Sequence, residues 1–453
     1  MHTEGLKIPV AESIAAGRVA AKSSRYAWYM IGILLVAYTF SFIDRQILSL
    51  LVEPMKRDLG ISDTQVSLLQ GLSFALFYTI LGLPMGRLAD TVSRRGLIAT
   101  GLTLWSLATA VCGLAGQYWQ LFVARMGVGV GEASLSPAAY SLIADSVDRK
   151  NLAAAIGVYS MGIYIGGGLA LIAGGAVVAW AVNIDSVVVP LIGEIRSWQL
   201  VFLAVGLPGL LLVPFVLTLR EPRRANAGGT AIPLADVWQF LRHNRRTLIL
   251  LILGAALASL AGYGSVAWVP SFLIRTHQLG FAEAGLAFGL IVLIFGSAGV
   301  VSGGRIADWL GQRGRQDGKP RTALYAALLG LAPTLLYPLM PSLTGVLILL
   351  SISTYFTNFM MGLGPAAIQE VVPANMRGQI SALYLFVVNI IGLGLGPLSI
   401  ALATDYVFED PNLLRYSLVL APGCALTISA LLLWRALPHY RASLASHETS
   451  QAH

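Results

Sequence analysis

The chain has 453 residues, of which 56% are hydrophobic and only 11% charged, and its mean hydropathy is +0.73. A soluble protein would carry about 25% charged residues, so the composition excludes a soluble globular fold and describes a polytopic helical membrane protein. The net charge of +8 does not mark a nucleic-acid binder, because the basic residues gather in particular loops, as membrane topology demands.

Residues 1–25 hold Lys7, Arg18, Lys22 and Arg25 without an apolar core of signal-peptide length, so no cleaved signal is expected. The stretch 8–21 reads either as a short interfacial helix or as a disordered tail. Twelve apolar spans follow, near 26–51, 64–88, 96–116, 119–144, 152–180, 198–219, 247–273, 282–307, 321–340, 343–369, 377–404 and 413–436. Cys112 and Cys424 both fall within spans and read as buried free thiols. Lys56, Arg57, Arg196, Arg275 and Arg415 accompany the loops after odd-numbered spans, and Arg45 and Arg125 lie inside spans. The remaining 23 of the 30 basic residues occupy the tails and the loops after even-numbered spans. The positive-inside rule therefore places both termini and those loops in the cytoplasm.

Between spans 6 and 7, residues 220–246 hold Arg220, Arg223, Arg224, Arg242, Arg245 and Arg246, with Gly228-Gly229 and Pro233 among them. This is a linker, within which 233–241 is expected as a short helix on the membrane surface. The organisation is then a cytoplasmic tail (1–25), an N-terminal six-helix bundle (26–219), a cytoplasmic linker (220–246), a C-terminal six-helix bundle (247–437) and a second tail (438–453). The halves repeat. The loop after span 2 reads Gly86-Arg-Leu-Ala-Asp90-Thr-Val-Ser-Arg94-Arg95, and that after span 8 reads Gly304-Arg-Ile-Ala-Asp308-Trp-Leu-Gly-Gln-Arg313. Spans 4 and 10 end alike, in Leu142-Ile-Ala-Asp145 and Ile368-Gln-Glu370, and spans 5 and 11 are both glycine-rich. Parallel six-helix repeats are a signature of transporters.

Two spans carry charge. Span 1 holds Asp44-Arg45, and span 4 holds Arg125-Met-Gly-Val-Gly-Val-Gly131-Glu132. An ionised side chain at the centre of a membrane helix costs about 2.5–3.5 kcal/mol on insertion scales, so four of them argue for function. Positions 125, 129 and 132 share one helix face, and the glycines let a neighbouring helix come close. At about 1.5 Å per residue, Asp44 lies roughly 10 Å, Arg125 roughly 9 Å and Glu132 roughly 20 Å from the outer end, so the depths overlap. Adjacent residues on a helix point about 100° apart, so Asp44 and Arg45 need different partners: Arg45 with Glu132, and Asp44 with Arg125 or water. The competing structural reading is a fixed ion-pair network tying the two helices together. Against it, apolar contacts hold helices together without the desolvation cost of buried charge. A buried acid also resists ionisation, which suits proton pickup.

These motifs resemble the major facilitator superfamily over nearly the whole chain. The N-terminal half is similar to the spinster family of proton-coupled lipid transporters in Phe42-Ile-Asp44-Arg45, in Gly127-Val-Gly-Val-Gly-Glu132-Ala-Ser134 after Arg125, in Leu142-Ile-Ala-Asp145, and in Trp198 and Leu219-Arg220-Glu221-Pro222-Arg223. The resemblance implies an all-α membrane protein, with twelve transmembrane helices in two bundles working by alternating access. Helices 1 and 4 would line one cavity. Asp44 and Glu132 would carry protons, and Arg45 and Arg125 would face an anionic headgroup. A gate of Gly86, Asp90, Arg94, Arg95, Asp145, Asp308 and Arg313 would hold the cytoplasmic side shut, Asp90 meeting the N-terminus of helix 11 and Asp308 that of helix 5.

The C-terminal spans hold no ionisable residue at comparable depth. Their polar groups are few: Tyr263, Ser265, Thr357, Asn358 and Asn389. A charged wall facing a mainly apolar one favours an amphipathic substrate, its head at the charges and its tail against Met360, Met361 and Phe295, with Tyr263 and Asn358 also expected to bind it. The expected substrate is a lysophospholipid or sphingoid lipid; the alternatives are a symporter of small organic or sugar-acid anions, and an uncoupled lipid receptor or scramblase. No nucleotide, hydrolase or metal motif occurs: Gly127-Val-Gly129-Val-Gly131 has no strand before it, and Gly318-Lys319 runs into Pro320. The protein is thus expected not to be an enzyme, to need no cofactor beyond a proton gradient, and to bind no metal or nucleic acid. Its partners are substrate, protons and membrane lipids, and it is expected as a monomer in the bacterial inner (plasma) membrane.

Overall fold

A lipid environment offers no partner to backbone N–H and C=O groups, so each long apolar run closes its hydrogen bonds on itself as a helix. In the computed structural model, residues 24–183, 186–189, 193–222, 234–373 and 376–451 are described. The expectations for 8–21 and for Arg223, Arg224, Gly228-Gly229 and Pro233 lie outside them. Eleven described helices are long and apolar enough to cross a membrane. They are α1 (Arg25–Leu50), α2 (Asp63–Thr91), α3 (Arg94–Cys112), α5 (Ala154–Val182), α6 (Ser197–Leu217), α7 (Arg245–His277), α8 (Phe281–Gln312), α9 (Gly318–Leu339), α10 (Leu343–Val371), α11 (Arg377–Phe408) and α12 (Pro411–Ala445).

The fourth predicted span is not one rod. It folds as Tyr118–Glu132 and Leu135–Ser146, together called α4, with a break at Ala133 and Ser134. Three glycines weaken this helix. Ser134 Oγ then donates to the carbonyl of Gly131 at 2.9 Å, a bond that competes with the helical ladder. A second departure from a purely helical chain is the antiparallel hairpin of β1 (Ser186–Val189) and β2 (Gly193–Arg196) between α5 and α6. Its β-branched run Val187-Val188-Val189 prefers a strand once it lies beyond the apolar span. Cys112 is buried as expected, but Cys424 is exposed on the outer face of α12.

The linker carries the surface helix Leu234–His243, with Val237 turned inward and Trp238 outward. The Arg220 backbone N–H donates to the Tyr26 hydroxyl in close contact, and Thr247 bonds Ser443 at 2.8 Å. The start of α1, the linker and the end of α12 therefore share one end of the molecule, called here the basic end. The helix begun at Leu414 runs on through Pro438 to Gln451, so part of the expected C-terminal tail prolongs α12.

Packing differs between the two ends. Away from the basic end, a single hydrophobic core includes residues of both halves, among them Ile47, Trp198, Phe202, Trp268, Phe272 and Leu418. Toward the basic end each half has a core mainly its own, around Trp105 and Tyr159 in one and around Phe359 and Tyr440 in the other. The halves meet along α5 and α8, where glycines permit near backbone contact: a Cβ on Gly285 would lie 2.2 Å from the carbonyl oxygen of Leu171.

Candidate functional site

Helices α1 and α4 bring all four membrane charges together, paired as the 100° rule requires. Arg45 donates from Nε and Nη2 to Oε2 of Glu132 at 2.7 and 2.6 Å, and Ser41 Oγ donates to the same oxygen at 2.5 Å. Oε1 of Glu132 has no partner among the described residues. The Arg45 guanidinium sits 4.9, 4.4 and 4.6 Å from the ring centroids of Phe42, Phe74 and Tyr78, so three aromatic faces help hold the cation.

The second pair is looser and deeper. Nη1 of Arg125 reaches Oδ1 of Asp44 at 3.3 Å, and Thr109 Oγ1 donates to Oδ2 of Asp44 at 2.5 Å. Arg125 is fully buried, and its Nε and Nη2 have no partner among the described residues. The glycines of α4 work as expected: a Cβ on Gly129 would lie 2.7 Å from the Phe74 carbonyl, and one on Gly131 would lie 2.6 Å from the Trp105 nitrogen. Helices α2 and α3 thereby close over this part of α4.

Two adjoining cavities lie between the halves. The larger has about 940 Å³ of empty space, open solvent included, and Tyr164, Tyr263, Val292, Asn358, Met360 and Met361 are among its lining residues. The smaller encloses about 480 Å³ and includes Arg45, Ser49, Gln70 and Phe74 in its wall. Phe42, Gln46, Tyr263 and Val266 border both. Arg45, Tyr263, Asn358 and Met361, expected to bind substrate, each line one or both of these cavities. Arg125 and Asp44 line neither, because α2 and α3 seal the side of α1 and α4 on which they lie. Phe295, predicted to touch the substrate, is 38% exposed and also lines neither. The C-terminal wall is more polar than predicted, since Ser259, Ser353 and Thr354 join Ser265, Thr357 and Asn358 there.

The predicted gate divides into separate parts. Arg94 is buried and binds Asp145 at 2.5 Å and Glu221 at 3.0 Å, fastening α3 to the end of α4 and to the chain beyond α6. Burial raises the Glu221 carboxyl, but hydrogen bonds from the Arg94 N–H and guanidinium and from Ser93 outweigh it and hold the group below its usual range. Arg95 donates to the Leu219 carbonyl, and Arg313 stacks on Trp309 at 3.8 Å. The second half repeats the Arg94–Asp145 tie as Lys319–Glu370, the same number of residues apart. Asp90 and Asp308 are exposed and have no ion-pair partner among the described residues, and nothing lies within 4 Å of a Cβ built on Gly86. Among the described residues Asp90 makes no hydrogen bond or ion pair with the N-terminus of α11, nor Asp308 with that of α5, in this arrangement, in which the cores of the two halves are mainly separate at that end.

The halves are instead locked at the opposite end, by residues to which sequence reading gave no role. Arg275 at the end of α7 grips Asp63 at 2.8 and 2.9 Å and Glu53 at 2.7 Å. Asp405 accepts from the Thr64 N–H at 2.7 Å, and Trp268 Nε1 donates to Ser67 Oγ and the Pro397 carbonyl at 3.2 and 3.0 Å. Opposite charges at the outer ends of spans in different halves were the available signal.

The sequence profile of the Major Facilitator Superfamily matches residues 15–397. The chain belongs to that superfamily. Among curated relatives of this superfamily member, an MFS-type efflux pump of Mycolicibacterium smegmatis is 28% identical over 92% of this chain and 94% of its own. A probable L-galactonate transporter of Escherichia coli is 24% identical over 88% and 86%, and protein spinster homolog 1 of Bos taurus is 28% identical over 70% and 61%. Among solved structures, a bacterial homolog of the human lysosomal transporter spinster, in an inward-facing and occupied conformation, superposes with a TM-score of 0.74, 26% identity and coverage of 93% of this chain and 97% of that one. The protein is therefore a multi-pass membrane transporter of the superfamily with spinster-like and sugar-acid-transporter relatives, and its bacterial relatives are consistent with an inner-membrane location.

Proposed function

We propose that the protein is a proton-coupled secondary transporter that moves an amphipathic anion or zwitterion of the lysophospholipid or sphingoid type by alternating access. The observation that carries this reading is Arg45, paired with Glu132, in the wall of the smaller cavity, which adjoins a larger one lined by Val292, Met360 and Met361. Glu132 has a carboxylate oxygen, Oε1, without a partner among the described residues, to receive a proton. Neutralising Glu132 removes the counter-charge of Arg45, whose planar fork then takes the carboxylate or phosphate of the substrate. Asp44 carries a second proton in this scheme, sensed through Arg125. With basic loops in the cytoplasm, the Arg275 lock closes the outer face, and Asp90 and Asp308 engage when the cycle reverses. Transport needs no cofactor but the proton gradient, and a monomer contains the whole site.

A second reading, a symporter of sugar-acid anions, is favoured by the hydroxyl and amide groups of Ser259, Ser353, Thr354, Thr357 and Asn358 in the larger cavity. Proton movement in proteoliposomes, measured with lysolipids and sugar acids side by side, tests both. Proton flux that requires a lysolipid is the expected result. Flux with sugar acids alone establishes the second reading, and lipid movement without proton flux leaves an uncoupled receptor or scramblase.

A further inference from the structure

Gln70 lies in the π-helical turn Leu68–Leu72 of α2, which packs on the π-helical turn Asn389–Gly394 of α11. Its residue is 8% exposed, and neither Oε1 nor Nε2 has a hydrogen-bond partner among the described residues. It stands in the wall of the smaller cavity with Arg45, Gln46, Ser49 and Tyr263. Its neighbour Gln46 is occupied, donating to Ser49 Oγ at 3.1 Å and to the Val266 carbonyl at 3.2 Å. A buried carboxamide with neither end satisfied destabilises the fold, and leucine or methionine would fill the same space without that cost. The π-helical turn shifts the helical register at this position, and such turns recur at functional sites.

We infer that Gln70 and Arg45 form one subsite for an anion that carries a hydroxyl beside its acid group, the guanidinium taking the acid and the carboxamide taking the hydroxyl. The inference rests on the proposed transport of an anion and narrows what that anion bears. A carboxamide offers donor and acceptor together, and a hydroxyl is both. A simple fatty acid lacks this group. A lysophosphatidate has it on glycerol, and an aldonic acid has it next to its carboxylate. A site built to bond a hydroxyl rejects the analogue without one, because its own polar group is then left unpaired.

The test measures binding to the purified full-length chain in nanodiscs. Two probe pairs are used: lysophosphatidate against its deoxy analogue, and galactonate against 2-deoxygalactonate. The hydroxylated member of one pair should bind at least about tenfold more tightly. Gln70→Met should abolish that preference while keeping the affinity for the deoxy member. A preference confined to the lipid pair assigns the hydroxyl to a lysolipid, and one confined to the other pair assigns it to a sugar acid. Equal binding within both pairs overturns the subsite and leaves the transport reading standing, without need of any variant. A preference that survives Gln70→Met also overturns it, since the carboxamide then serves water only. Failure of all four probes to bind overturns the transport reading and this subsite with it.

Discussion

Two ion pairs join the same two helices, and they differ in almost everything but composition. Arg45–Glu132 is short and doubly bonded, is ringed by aromatic faces and borders a cavity, where the arginine side chain remains 13% exposed. Arg125–Asp44 rests on one contact at 3.3 Å and is sealed behind α2 and α3, with two arginine nitrogens unpaired among the described residues. The difference shows that charge inside a membrane helix is not one kind of feature. A pair whose arginine borders a cavity has open space beside it, whereas a sealed pair has none until its surroundings move.

The sealed pair should give the largest effect. Arg125→Leu strands Asp44 as an uncompensated buried charge, which costs about 3–5 kcal/mol. Unfolding in detergent should show a loss of that order, largely recovered in the double variant Arg125→Leu/Asp44→Leu. A single variant as stable as the parent chain would place Arg125–Asp44 in the same class as the other pair. Glu132→Gln should do the reverse, abolishing proton-driven accumulation in proteoliposomes while folding and substrate binding persist. Uphill transport at the parent rate would remove Glu132 from coupling and leave both pairs structural.

Arg45→Lys comes next. Lysine keeps the charge and loses the planar fork, and a hydrogen bond to a charged group is worth about 1.5–3 kcal/mol, so affinity should fall roughly tenfold to hundredfold. A fall of less than about twofold would mean that Arg45 acts only as a point charge. The smallest effect is expected from the tail wall. Met361→Ser should weaken long-chain substrates more than short ones, each buried methylene being worth about 0.8 kcal/mol. Phe295→Ser, off both cavities, should leave the chain-length series unchanged. Affinity independent of chain length in the parent protein would sink the lipid reading and leave the small-anion symporter.

Sequence alone determined the membrane class, the repeat of the loop motif and the pairing of Arg45 with Glu132, and left Asp44 to Arg125 or water. These follow from local rules: the bilayer enforces apolar runs of a set length, and helical geometry turns Asp44 and Arg45 to different partners. It also singled out Arg45, Tyr263, Asn358 and Met361, which line the cavities between the halves. Tertiary structure decided what local periodicity does not contain. Close approach of α2 and α3 to the glycines of α4 set Arg125 and Asp44 apart from the cavities, and Phe295 fell on a face of α8 that lines neither. In this arrangement Arg275 with Asp63 and Glu53 ties the halves, while Asp90 and Asp308 form no ion pair among the described residues, because one end of the molecule shares a core and the other has cores mainly separate. The unpaired carboxamide of Gln70 is likewise invisible in a sequence, since only the packed neighbours reveal that none of the described residues bonds it. Which face of a helix meets a cavity depends on residues hundreds of positions away, brought near by packing that no single span specifies.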